Sequence, residues 1–263
     1  MKKIDYVFKF KNVITCLDFK FSQNSKLGNS LQVVTYHFAI DQVESGDFTK
    51  DSQNCLSCPY SFNMNGGKSG GCYTHKGLQL MGLKSKLRSL NKKYEKGAIN
   101  DFTMAGFDKF IKNVNKFLKM VDGEKLNQAV TVPQLEKLFS SVKRGNKIPL
   151  VRFGAYGEPT KLPLFVVRSL KAIANNTTGY SHQWHKPENQ KYSPYFMASV
   201  DSTFEVKISQ DLGWKTFFVG GVDDNGINCP ASKEAGNKTT CVKCGLCGGA
   251  SGKSKKSIYI AKH

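Results

Sequence analysis

The sequence predicts an α/β fold. It is a partial (β/α) barrel or a parallel sheet with a Lys-rich helical insertion and a C-terminal cysteine-rich metal-binding loop. Three observations predict it. Leu31–Ile40, LQVVTYHFAI, is a β-branched and aromatic run free of Gly and Pro, as a core strand requires. After Pro149 the chain alternates short apolar strand runs with helical ones, the rhythm of βα units around a parallel sheet. Between these regions, residues 76–145 are Lys-rich and helical in pattern.

In chain order, residues 4–21 alternate loosely (Tyr6, Phe8, Phe10, Val13, Leu17) and read as strand material. A polar loop is expected from Asp41 to Asn54. Within the insertion, Phe102–Val121 carries Phe107, Phe110, Ile111, Val114, Phe117, Leu118 and Val121 at helical spacing, with Lys109, Lys112, Lys116 and Lys119 on the other face. This stripe reads as core packing. Thr131 and Gln134 form a capping box for a helix over Val132–Val142. Strands are then expected at Leu150–Gly154, Tyr180–Trp184, Tyr195–Val200, Lys215–Val219 and Ser257–Ala261. Helices are expected at Leu162–Ala174 and at Phe204–Leu212, which ends at Gly213. Residues 175–179 read as a turn. The domain reading is a core over 1–228, with the insertion at 76–145, followed by a cysteine-rich segment and closing strand over 229–263.

Seven of the eight cysteines fall into two groups: Cys55, Cys58 and Cys72, then Cys229, Cys241, Cys244 and Cys247. Thiolates at x2 spacing on Gly-rich chain can wrap one soft metal centre, because the turn gathers the sulfurs and glycine removes the steric block. Free buried thiols and disulfides are the alternatives. The N-terminal MKKIDYVFKFKN lacks the apolar core of a secretory leader, so disulfides are not expected. Cys16 stands apart among Ile14, Leu17 and Phe19 and reads as a buried thiol. Cys55, Cys58 and Cys72 with His75 also make C-x2-C-x13-C-x2-H, a spacing that suits a closed structural zinc site.

The 39 Lys and Arg against 20 Asp and Glu give a formal charge of +19. An anionic partner, nucleotide or nucleic acid, is one reading of that excess. A Lys-rich solvated surface is the other, since the lysines are spread along the chain. No run approaches the length of a membrane span, and there is no P-loop and no Gly-x-Ser-x-Gly elbow. Gly157-Glu158-Pro159 follows a strand and presents backbone groups and one carboxylate. Its alternative reading is a strand–helix turn with Glu158 at a helix N-terminus. His182, in the cluster Tyr180, His182, Trp184 and His185, and Asp201 sit at expected strand ends and are the candidate catalytic residues.

A three-cysteine loop after the first core strand, an aromatic (Tyr73) directly after its last cysteine, and a Gly-Glu-Pro turn after a later strand together resemble the radical S-adenosylmethionine superfamily. The resemblance implies a [4Fe–4S] cluster on Cys55, Cys58 and Cys72 with one open iron. It also implies S-adenosylmethionine bound there, contacted by Gly157, Glu158 and Pro159, and a second [4Fe–4S] cluster on Cys229, Cys241, Cys244 and Cys247. The superfamily's usual C-x3-C-x2-C is replaced by C-x2-C-x13-C, and Gly157 lies 85 residues after Cys72.

Over most of its length the chain is more similar to a phage family known as gene product eighty-eight. The residues that carry this are GGCYT at 70–74, RFGAYGEP at 152–159, TGYSHQW at 178–184, MASVD at 197–201, GWKTFFV at 213–219 and TTCVKCGLC at 239–247. The resemblance implies a phage origin and the cytoplasm of an infected cell. The expectation is an iron–sulfur enzyme acting on a nucleotide or nucleic acid. The alternative is a zinc-stabilised nucleic-acid-binding protein without catalysis.

Overall fold

The computed structural model describes residues 4–22, 26–28, 30–51, 58, 77–122, 147–236 and 238–260. Its architecture is α/β, with two five-stranded sheets. The first sheet takes β1 (Ile4–Phe10), β2 (Val13–Ser22), β3 (Ser30–Ala39), β4 (Ile148–Tyr156) and β5 (Ala174–Thr178) in that order. β1, β2 and β3 are antiparallel neighbours, whereas β3–β4 and β4–β5 are parallel. One residue after β5, Gly179, the chain opens the second sheet. Its order is β6 (Tyr180–Ser181), β7 (Met197–Val200), β8 (Thr216–Val219), β10 (Ile258–Ile260) and β9 (Ile227–Asn228), all parallel. The strand material over 4–21 is thus a hairpin, turned at Lys11–Asn12 with Lys11 at φ 55°.

The central strand β3 is buried along its whole length, which explains its continuous β-branched and aromatic composition. Its alternate residues feed two cores. Leu31 and Val33 join Phe8, Leu17, Phe19, Val151 and Phe153 in one core. The helices α3 (Met104–Asp122), α4 (Leu164–Ala172) and α5 (Thr203–Asp211) cover this side, and it continues behind the second sheet through Ala198, Val200 and Phe218. α3 contributes Phe107, Phe110, Val114 and Leu118, while Lys109, Lys112, Lys116 and Lys119 are exposed. On the other face of the first sheet, Val34, Tyr36 and Phe38 pack against Leu83, Leu87 and Leu90 of α2 (Gly77–Glu95) and Val43 of α1 (Ile40–Ser45). The same side of the second sheet packs Met197, Ile258 and Ile260 against Cys229, Ala231 and Cys247.

Several expectations are corrected in detail. Residues 175–179, read as a turn, supply most of β5, because Asn176, Thr177 and Thr178 find a partner in β4 that no local pattern announces. The expected strand at Tyr180–Trp184 shortens to Tyr180–Ser181, and that at Tyr195–Val200 begins at Met197. The expected helix at Leu162–Ala174 begins at Leu164, after a 3-10 turn at Pro159–Lys161, and the polar loop after β3 begins as α1. Cys16 is buried in the second core with Ile14, as expected, and also meets charged groups. Its thiol donates to Asp18 Oδ1 at 3.0 Å, and the Lys86 ammonium, paired with Asp18, lies 3.4 Å from its sulfur. The capping box at Thr131 and Gln134 lies outside the described residues. The segment after residue 229 is woven into the fold, since β10 sits between β8 and β9. No helix among the described residues is long and apolar enough to cross a membrane.

His37, on β3, is fully buried between the hydroxyls of Thr15 (3.0 Å) and Thr35 (3.1 Å). Burial, helped by the nearby charge of Lys161, pushes its pKa down to about 3. The unfolded chain binds this proton near pH 6.5, so His37's contribution is complete above that pH and is lost as the pH falls towards 3. The stability difference between wild type and His37→Gln should therefore shrink by about 1.4 kcal/mol per pH unit below 6. Urea unfolding at pH 6 and pH 4.5 measures it, and a constant difference would contradict this assignment.

Candidate functional site

Two groups of candidate residues have a defined geometry. The first lies at the carboxyl ends of the parallel strands. β4 carries a bulge opposite Val34–Tyr36, where Gly154 adopts φ 62° and its amide donates to Thr35 Oγ1 at 2.8 Å. A Cβ at Gly154 would stand 2.9 Å from the carbonyl oxygen of Gly157, so only glycine lets the chain fold back into the Gly157-Glu158-Pro159 turn. Glu158 caps the 3-10 turn that follows. Its Oε1 accepts from the amide (3.1 Å) and hydroxyl (3.0 Å) of Thr160. Its Oε2 accepts from the amide of His182 at 3.1 Å.

With the side chain buried and both oxygens engaged, Glu158 braces the end of β4 to the end of β6. This is the capping role that the sequence allowed as its alternative reading. The His182 ring is held below its ordinary pKa by burial, while Glu158, Asp201 and Glu205 pull the other way. Asp201 follows β7, and its amide donates to Glu205 Oε2 at 2.7 Å, while the Ser202 hydroxyl caps the start of α5 by accepting from the Glu205 amide. His182 and Asp201, far apart in sequence, are thus brought to one edge.

The second group is the C-terminal cysteines. Cys241, Cys244 and Cys247 follow one another on a single turn of helix, α6 (Cys241–Cys244), and the loop after it. Gly245 ends that helix at φ 65°, and a Cβ there would stand 2.2 Å from Asn176 Oδ1, so the loop is pressed onto β5. Cys229 arrives from the end of β9, its amide donating to Tyr259 O at 2.9 Å. All four cysteines line one pocket together with Lys26, Thr178, Tyr180, Phe217 and Ile258. Two lysines fasten the loop. The buried Lys215 donates to Leu246 O at 2.8 Å, and Lys171 donates to Gly248 O at 3.2 Å and to Pro194 O at 3.1 Å.

Burial pushes the Cys247 thiol up to about 12, against a hydrogen bond from Tyr180, and the Cys241 thiol up to about 11. Each cysteine's neighbours in the group push the same way, while Lys26 and Arg152 favour the Cys241 thiolate. Without a cation these sulfurs stay protonated. Among the described residues no three His, Cys, Asp or Glu side chains are arranged to hold a single metal ion.

Of the first cysteine group, Cys58 is half-buried, and Cys55, Cys72, Tyr73 and His75 lie outside the described residues. Sequence reading overlooked Lys215, Lys171 and the brace from Glu158 to His182. All three depend on contacts between distant segments that no local pattern encodes. No family model, no curated protein and no solved structure matches the chain.

Glu158→Gln replaces one acceptor oxygen with a donor in a buried bracket of three hydrogen bonds. It should lower stability by about 1.5–3 kcal/mol, read as the shift in urea midpoint at constant slope. An unchanged midpoint would show that the brace is not formed.

Proposed function

We propose that this is an iron–sulfur protein whose C-terminal segment holds a cluster on Cys229, Cys241, Cys244 and Cys247. One observation carries the reading: four thiols, with no histidine or carboxylate among them, line one pocket. An all-thiolate set suits a soft metal centre such as an iron–sulfur cluster. The surroundings fit such a group. Lys215, Lys26 and Arg152 supply positive charge beside four anionic ligands, Tyr180 already donates to the Cys247 sulfur, and the wall of Phe217 and Ile258 limits water. A bound cluster supplies one-electron transfer.

The class of enzyme follows from the resemblance to radical S-adenosylmethionine proteins, together with the order of the strands. β3, β4 and β5 are parallel neighbours in the first sheet, and β6, β7 and β8 in the second. The chain leaves β3 towards Cys58 beside the Gly157-Glu158-Pro159 turn that leaves β4, because Tyr36 pairs with Tyr156. In this reading Glu158 is a positioning residue, with cofactor contact left to the turn's backbone. His182, buried among Glu158, Asp201 and Glu205, is the group placed to hold or pass a proton. The resemblance to the phage family supports a mobile-element setting.

Protein purified anaerobically, or reconstituted with iron and sulfide, should be brown and contain both elements in near-equal amounts. Cys241→Ser/Cys244→Ser should lose a large share of each. Colourless protein that takes up neither, with one tightly held zinc per chain instead, would overturn the proposal in favour of a zinc-stabilised binding protein.

A further inference from the structure

Beside the candidate active-site edge lies a cluster of cations that the cysteine chemistry does not use. Three separate elements build it. Lys11 sits in the β1–β2 turn, Lys161 ends the 3-10 turn after Glu158, Lys186 precedes a second 3-10 turn, Pro187–Tyr192, and Lys191 lies in the last part of that turn. These elements are tied together. Lys161 Nζ donates to Asn12 Oδ1 at 3.3 Å, and Tyr192 donates its hydroxyl to Leu162 O at 2.6 Å.

The four ammoniums are close enough to act on one another. Lys11 and Lys161 are held below the ordinary lysine pKa, first by burial and then by repulsion from Lys191 in one case and from Lys11 and Lys186 in the other. The acids facing them are Glu188, for both, and Glu158, for Lys161. Glu158 is already committed to Thr160 and His182. Among the described residues the ion pairs are Lys86–Asp18 and Lys93–Asp5, so none of these four lysines has one. Concentrated like charge costs free energy in the free protein, and an anionic partner recovers it. At the start of α5, which follows β7 and Asp201, Phe204 is 72 % exposed and presents a flat apolar face to solvent.

We propose that Lys11, Lys161, Lys186 and Lys191 bind the phosphate backbone of a single-stranded nucleic acid, with Phe204 offering a stacking face for its bases. A row of point charges on a rim suits successive phosphates, and an exposed aromatic suits unpaired bases better than it suits carboxylate side chains. That this strand is also what the enzyme acts on rests on the proposed function; the binding surface does not.

Fluorescence anisotropy of a labelled mixed-sequence DNA single strand, titrated over a range of salt, tests the surface. The variant K11Q/K161Q/K186Q/K191Q should bind less tightly, and its slope of log K against log salt should be shallower by up to about 3. The control K109Q/K112Q/K116Q/K119Q removes equal charge from the exposed face of α3 and should leave the slope within about 0.7 of wild type. Since Lys161 is partly buried, the pair K186Q/K191Q provides a second test, with an expected change of up to about 1.4. Phe204→Ala should weaken binding at unchanged slope. Equal losses in the rim and helix variants, or displacement of the strand by poly-glutamate at matched charge, would overturn the proposal. Lysine-dependent binding by a protein that takes up no iron would sink the proposed function and leave this surface standing.

Discussion

Everything at the candidate active-site edge depends on one parallel pairing, that of β3 with β4. Gln32, Val33 and Val34 match Leu150, Val151 and Arg152, and after the bulge Tyr36 matches Tyr156. Parallel neighbours need a crossover connection, and here the crossover holds more than a hundred residues, including α2 and α3. The entropy of closing so long a loop grows only slowly with its length. The burial of β3 on both faces provides the compensating term, since its side chains serve two cores at once. Once that pair forms, the ends of β3 and β4 are neighbours, and the bulge at Gly154 turns the chain so that Glu158 reaches across to His182.

The bracket at Glu158 and the loop at Cys241–Cys247 solve a shared problem in different ways. Each places a polar group in a buried position where it must be matched. Glu158 is matched by three donors from its own chain. The thiols are matched only in part, by Tyr180 at Cys247 and by the charges of Lys26 and Arg152 near Cys241. A buried acid whose partners are complete is a structural element. The thiols lack such a full set, and Lys215 and Lys171 fix the loop that carries them through its carbonyls.

Much of this was legible in the sequence, and the rest was not, for physical reasons. The stripe of α3 and the core strand β3 declare themselves because periodicity and composition are local properties. The C-terminal cysteines declare themselves because x2 spacing on a Gly-rich loop has few other uses, and the fold does bring the four into one pocket. β5 was hidden: Asn176, Thr177 and Thr178 resemble a turn until β4 lies alongside. Cys16 was read correctly as a buried thiol, and Ile14 does share its face and its core, but Asp18 on that face and Lys86 from α2 were not foreseen as its partners. The lysine rim was invisible as a cluster because its members are spread from residue 11 to residue 191.

In the proposed function the pocket of Cys229, Cys241, Cys244 and Cys247 holds a group with several metal atoms. Crystals of anaerobically prepared protein, measured on both sides of the iron absorption edge, should then show a strong iron signal within this pocket, too extended for one atom and bonded to all four sulfurs. A single zinc drawn to one centre by those sulfurs, or four thiols with no metal among them, would rule the cluster out.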